Sequence, residues 1–265
     1  MRAARVWLVG AGPGDPGLLT LKAAQVLARA EVVVHDHLVT PEILATLAPR
    51  TELVYAGKQR GRHTLTQDKI NALLVRLARR GKRVVRLKGG DPFIFGRGGE
   101  EALALARAGI RFEVVPGITA AAGVAAYAGI PLTHRGLAQA CVLVTGSQRG
   151  GVAELDWTAL ARPDQTIAVY MGLAGLERIS RELIAHGLSP RTPAAIIQQG
   201  TSAGQRVVAG TLAALPRLAA EARLRAPTLI VIGKVVRLRK ALDWFSEGQR
   251  RVAKRHERRS SRESV

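Results

Sequence analysis

Short apolar runs that end on glycine-rich turns alternate with longer amphipathic segments along most of the chain, and this alternation limits the fold more than any other feature. Residues 5–9, 31–36, 52–55, 83–87 and 111–115 are brief and rich in Val and Leu, as buried strands are. Between them, 18–30, 41–47, 67–80 and 100–108 carry apolar residues at helical spacing. Strands that alternate with helices predict a parallel sheet with helices on both faces. The pattern resumes after Pro116 with a helix over 118–127, strands over 140–146, 166–170, 193–198 and 228–232, and a helix over 176–186. The expected fold class is therefore α/β, as two α/β domains with mostly parallel sheets. The first covers 1–116 and the second 117–242, and a basic tail over 243–265 is expected to be disordered.

The densest motif follows the fourth of these strands. Arg86-Leu87 runs into Lys88-Gly89-Gly90-Asp91-Pro92-Phe93-Ile94-Phe95-Gly96-Arg97-Gly98-Gly99-Glu100-Glu101. One strand-to-helix connection thus holds five glycines, an Asp and an Arg. Open α/β sheets bind ligands at the carboxyl ends of their strands, so a ligand is expected here. A second glycine loop, Gly10-Ala11-Gly12-Pro13-Gly14-Asp15, follows the first strand. It is not a dinucleotide fingerprint, because the third glycine would fall at Asp15 and Pro13 stiffens the turn. A carboxylate is a poor neighbour for a pyrophosphate, which points to a ligand without phosphate.

The net charge of +20 must be divided before it is used. From Arg250 onward, seven Lys and Arg face two Glu, which leaves fifteen of the positive charges on the rest of the chain. A basic body suits a polyanionic partner, either nucleic acid or a small molecule with many carboxylates. Only 4% of residues are aromatic and no nucleic-acid motif is recognisable, which weighs against a nucleic-acid-binding module. The single Cys141 forms no intrachain disulfide and no cysteine metal cluster. His35, His37 and His63 lack supporting carboxylates at ligand spacing, so no metal is expected. No run is apolar enough to span a bilayer, and residues 1–9 enter a strand too soon for a secretory signal; a cytoplasmic protein is expected.

Several segments together resemble the tetrapyrrole methylases: Val9-Gly10-Ala11-Gly12-Pro13-Gly14-Asp15-Pro16, Val34-His35-Asp36-His37-Leu38-Val39 and Lys88 to Gly98. Tyr55-Ala56-Gly57-Lys58 with His63, Gln67 and Asn71 narrows the likeness to the uroporphyrinogen-III C-methyltransferases. Val115-Pro116-Gly117-Ile118-Thr119-Ala120 and Gly129-Ile130-Pro131-Leu132-Thr133-His134-Arg135 extend it, so that it covers roughly 6–238. The resemblance implies a homodimer of two-domain subunits with the active-site cleft between the domains. It implies S-adenosylmethionine as methyl donor, S-adenosylhomocysteine as product, and methylation of two rings of uroporphyrinogen III to precorrin-2 for sirohaem and cobalamin synthesis. A sibling methylase acting on a later corrin precursor is the alternative. With no further dinucleotide fingerprint in the chain, oxidation of precorrin-2 and iron insertion are not expected.

By this resemblance Pro13, Gly89, Gly90, Asp91, Ile94, Thr119, Ala120, Met171 and Gly200 match cofactor-contact positions. Asp36 matches a proton acceptor and Lys58 a proton donor, though either could equally position substrate. Read alone, Asp36 is as well a turn acid after a strand, Thr119 a helix-start residue and Met171 a core residue. His63 and Arg97 are candidates for the substrate's carboxylates, with a solvated face as the alternative for Arg97.

Overall fold

The computed structural model describes residues 6–57, 65–148, 151–152 and 154–246. The chain divides into two compact units, Met1–Gly123 and Val124–Val265.

The first unit runs β1 (Val6–Gly10), α1 (Leu21–Leu27), β2 (Val32–His35), α2 (Pro41–Leu44), β3 (Glu52–Tyr55), α3 (Gln67–Arg79), β4 (Val84–Lys88), α4 (Gly98–Arg107) and β5 (Phe112–Val115). Helix α5 (Ala120–Tyr127) carries the chain into the second unit. Two of the helices, α1 and α3, begin at capping threonines. Thr20 Oγ1 accepts from Ala23 N at 3.1 Å and Thr66 Oγ1 from Lys69 N at 3.4 Å, each satisfying an amide that the first turn leaves open.

The five strands form one wholly parallel sheet in the order β3-β2-β4-β1-β5. Alternation along the strands sorts the side chains into two cores. Val6, Leu8, Val32, Val34 and Val84 pack with Ile70, Leu74 and Leu77 of α3 and Leu105 of α4. Val9, Val33, Val85 and Leu87 pack with Ala23 and Leu27 of α1 and Ile43 of α2. The neighbours β1 and β4 therefore feed helices on opposite faces. Connections that diverge in this way leave a crevice at the carboxyl ends of the two strands, where doubly wound sheets hold ligands.

The second unit contains β6 (Ala140–Thr145), β7 (Ser147–Gln148), β8 (Gly151–Val152), α6 (Trp157–Leu160), β9 (Gln165–Tyr170), α7 (Leu176–Ala185), β10 (Pro193–Gln198), β11 (Arg206–Thr211), α8 (Leu215–Glu221), β12 (Thr228–Ile232) and α9 (Arg239–Leu242). Its main sheet has the order β11-β10-β12-β9-β6. Only β6 and β9 pair in parallel, and the other three pairings are antiparallel. The mostly parallel arrangement expected from the sequence thus describes the first sheet and not the second. No crossover helix joins β10 to β11; residues 199–205 turn the chain straight back, and β12 inserts antiparallel between β10 and β9. Val169, Ile196 and Ile230 pack on one face with Ile179 and Leu183 of α7 and Leu215 of α8.

Of the tail expected over 243–265, residues 243–246 are described and the remainder lies outside the described residues. Asp243 pairs with Arg239 at 3.0 Å, and Trp244 donates from Nε1 to the Ala126 carbonyl at 3.0 Å while its ring meets Tyr127 edge-on.

Candidate active site

Three loops of the first unit meet backbone to backbone at the carboxyl ends of β1, β4 and β5. Gly12 and Gly90 exchange hydrogen bonds, Gly12 N to Gly90 O at 3.1 Å and Gly90 N to Gly12 O at 2.7 Å. Both have positive φ, +74° and +67°, a region where a Cβ is strained. Gly10 sits where a Cβ would lie 2.6 Å from Gly117 Cα and from Gly90 O. These glycines let the loops over 10–17, 89–97 and 116–119 pack without side chains between them. Gly89 is kept small by a different neighbour, since its Cβ would stand 2.6 Å from Leu38 Cβ. Pro13 packs on Gly123, in whose place a Cβ would lie 2.6 Å from Pro13 Cγ.

Asp91 ties two of the loops together. Its Oδ1 accepts from Phe93 N at 2.8 Å and its Oδ2 from Gly117 N at 3.0 Å. Thr119 and Ala120, which open α5, are the backbone nearest to Gly90 on its side-chain side. Asp15 accepts from Gly17 N at 2.7 Å and caps the short turn over 16–18, so that amide is taken by the protein's own carboxylate. This fits the expectation of a ligand without phosphate. An Asp91→Asn variant keeps one acceptor oxygen but turns an amide NH2 toward the other N–H. It is expected to lose about 1–3 kcal/mol in denaturant unfolding.

Asp36 follows β2. Its Oδ1 accepts from Leu38 N at 3.1 Å, and its Oδ2 lies 3.5 Å from Arg86 Nη2. Leu38, in turn, is the residue packed on Gly89, so the Asp36 turn and the Gly89 turn hold each other in place. Beneath Asp36 is a buried charged cluster. Val84, Arg86 and Lys88 alternate on the face of β4 that meets α3 and α4, and Arg86 and Lys88 are each only 3% exposed. Glu101, fully buried in the first turn of α4, accepts on Oε1 from Arg86 Nε at 3.0 Å, Lys88 Nζ at 3.1 Å and Gln67 Nε2 at 3.3 Å. Gln67 also donates to Asn71 Oδ1 at 3.0 Å. Glu101 Oε2 is buried with no hydrogen-bond partner. His35, buried next to Asp36, meets the Tyr55 ring edge-on at 5.5 Å.

No site role is expected from the sequence for Arg86 or Lys88, and Glu101 reads there only as an acid in the first turn of a helix. The available signal was two cations at alternate positions of an otherwise apolar strand, which forces both onto one face. Burial pushes the Lys88 ammonium below its ordinary value of 10.5, with Arg86 adding to the effect and Glu101 opposing it. Between that lowered value and 10.5 the unfolded chain binds more protons, so this group's contribution to stability rises with pH. The difference in unfolding free energy between the parent and Lys88→Met should therefore shift in the parent's favour as pH climbs through this window. Urea titrations at stepped pH measure it, and a flat difference would show that Lys88 is not penalised by burial.

Arg97 has φ +59° at the start of α4 and forms a two-pronged pair with Glu100, Nε to Oε1 and Nη2 to Oε2, both at 2.7 Å. It is half exposed. To hold a substrate carboxylate it would have to release Glu100. Ile94 is partly buried in the same loop. Lys58 and His63 lie outside the described residues.

In the second unit, β9 and β10 are both antiparallel to β12 and so run in the same direction. Met171 follows β9, and Gln199, Gly200 and Thr201 follow β10, at the same edge of the sheet. Met171, Gln199 and Thr201 all take positive φ, +53°, +48° and +67°. Met171 is 52% exposed and is no core residue. Strained backbone of this kind collects at ligand sites. Gly200 is kept small by Val124, whose Cγ2 would lie 2.6 Å from an added Cβ. Among the described residues, no three of His, Cys, Asp and Glu gather as a metal site, and no helix is long and apolar enough to cross a membrane.

A family model described as Tetrapyrrole (Corrin/Porphyrin) Methylases matches residues 5–216. The chain belongs to this family. Among curated relatives, a Siroheme synthase of Nitrosospira multiformis is 62% identical over 240 residues, which is 91% of this chain and 51% of the relative. The chain spans about half the length of the curated relatives it matches. Among solved structures, a uroporphyrin-III C-methyl transferase from Thermus thermophilus complexed with S-adenyl homocysteine is 44% identical with a TM-score of 0.76, covering 89% of this chain and all of that one. A cobalt precorrin-4 methyltransferase is 30% identical with a TM-score of 0.78, covering 87% and 95%. The backbone is thus equally close to methylases with different named substrates, and the side chains must separate them.

Proposed function

We propose that the chain transfers methyl groups from S-adenosylmethionine to two rings of uroporphyrinogen III, through precorrin-1 to precorrin-2, in the synthesis of sirohaem and cobalamin. The observation that carries this reading is the 44% identity to the Thermus uroporphyrin-III methyltransferase over that protein's whole length. The residues present fit the donor. An acid-containing glycine loop with its Gly17 amide already occupied suits a cationic, phosphate-free ligand, and an exposed thioether at Met171 suits an adenosyl group.

When bound, the donor supplies a methyl group on sulfur: a carbon–carbon bond forms at the macrocycle, the sulfur–methyl bond breaks with its electron pair left on sulfur, and S-adenosylhomocysteine departs. The chain's task is alignment and proton handling. By the family resemblance, Pro13, Gly89, Gly90, Asp91, Ile94, Thr119, Ala120, Met171 and Gly200 would hold the donor. Holding two reactants in line accounts for a large share of such a rate. Asp36 would accept the proton that the methylated carbon skeleton gives up, and Lys58 would donate one or bind a carboxylate. His63 and Arg97 would hold acetate and propionate groups by charge-assisted hydrogen bonds, in keeping with the basic body. The working unit is taken to be a cytoplasmic homodimer.

Incubating the chain with uroporphyrinogen III and methyl-labelled donor tests this reading, with two labels per macrocycle expected. The sibling reading, methylation of a later corrin precursor, rests on a backbone likeness to the precorrin-4 enzyme, TM-score 0.78, that nearly equals the likeness to the uroporphyrin-III enzyme. An unlabelled uroporphyrinogen III beside a labelled later precursor would decide for it.

A further inference from the structure

We propose that Glu101 is a positioning residue for methyl transfer: from the buried first turn of α4 it fixes Arg86, and Arg86 fixes Asp36. This rests on the reading of Asp36 as the proton acceptor, and adds a residue that touches neither substrate nor donor.

The chain of contacts leaves Arg86 no freedom. Its Nε donates to Glu101 Oε1 at 3.0 Å, its Nη1 to the carbonyls of Val34 at 3.3 Å and Leu87 at 3.1 Å, and its Nη2 faces Asp36 Oδ2 at 3.5 Å. A guanidinium is planar, so fixing Nε and Nη1 also fixes Nη2. Both anchors are buried, and the strand carbonyls belong to β2 and β4. Asp36 is then held at both oxygens, by its own turn through Leu38 N and by Arg86. Glu101 is itself held, because Lys88 and Gln67 donate to the same oxygen.

A charge cluster of this composition is expensive to bury, and an apolar core of the same volume is often at least as stable. Stability alone therefore does not explain why two cations and an acid occupy a core layer directly beneath Asp36. A fixed orientation for its carboxylate does.

A thermodynamic cycle tests the proposal with the full chain, uroporphyrinogen III and S-adenosylmethionine. Glu101→Gln keeps the shape and removes the charge. It should lower kcat on the order of 100-fold, the effect of a small misplacement of a reacting group, with little change in KM or in S-adenosylhomocysteine affinity. In the Asp36→Ala background the same change should alter kcat by less than about twofold. A merely structural role would instead lower kcat equally in both backgrounds, and that additivity would overturn the proposal while leaving the proton-acceptor reading of Asp36 intact. If Asp36→Ala turns over normally, both fall. Should Glu101→Gln unfold, the cycle is run in Lys88→Met/Glu101→Gln, which removes one buried cation along with the anion. The same non-additivity is expected there, and additivity there overturns the proposal equally.

Discussion

Replacing Asp36 with Ala should lower kcat for methyl transfer by about 100- to 10,000-fold, the range a positioned acid–base group supplies. The donor's affinity should hardly move. Asp36 sits at the end of β2, with Oδ1 on Leu38 N and Oδ2 toward Arg86, and it reaches the glycines assigned to the donor only indirectly, through Leu38 packed on Gly89. Loss of the carboxylate removes the ion pair to Arg86, whose three hydrogen bonds to Glu101, Val34 and Leu87 remain. The variant should therefore stay folded and bind S-adenosylhomocysteine within about twofold of the parent, a difference within the usual error of independent sites. Equal losses in kcat and in homocysteine-product binding would mean that Asp36 supports the donor cradle and not the proton step.

Gly10→Ala should be among the most damaging single methyl groups in the first unit. Its Cβ would stand 2.6 Å from Gly117 Cα, Gly117 N and Gly90 O, all backbone atoms that no rotamer can move. Overpacking of this kind costs about 1–3 kcal/mol in stability. Relief requires the loops after β1, β4 and β5 to separate, which also strains the Gly12–Gly90 exchange and the Asp91 link to Gly117. Donor binding should weaken about tenfold, equivalent to about 1.4 kcal/mol. Gly99→Ala is the matched control. Gly99 lies in α4 with nothing within 4 Å of an added Cβ and needs no positive φ, so the change should be neutral or stabilise by about 0.5–1 kcal/mol. Calorimetric titration with S-adenosylhomocysteine and urea unfolding of the two variants make the comparison. Equal behaviour would show that the nest does not shape the site.

The parallel sheet of the first unit was readable because most of its strands are compact Val-rich runs, and because glycine turns mark where β1, β3, β4 and β5 end. The same rule failed over β11 and α8. Arg206-Val207-Val208-Ala209-Gly210-Thr211 is an edge strand with a glycine inside it, and that glycine is there because Leu218 of α8 packs within 2.6 Å of where its Cβ would be. Nothing local announces such a contact. Gly89 and Gly200 could be picked out by resemblance, but not that Leu38 and Val124 are what keep them small, since those partners are distant in sequence. The cluster of Arg86, Lys88 and Glu101 was hidden for a similar reason. A cation in a strand looks like a solvated edge until the sheet order places β4 between β2 and β1, with both faces covered.

Substrate choice rests on side chains, because TM-scores to methylases with different named substrates are nearly equal. The direct measurement is a competition in one vessel: the full chain, methyl-labelled S-adenosylmethionine, and equal amounts of uroporphyrinogen III and precorrin-4, with products resolved by mass. Two labels on the uroporphyrinogen-derived product, with precorrin-4 left unlabelled, is the predicted result. Label on precorrin-4 with uroporphyrinogen III recovered unchanged would contradict it.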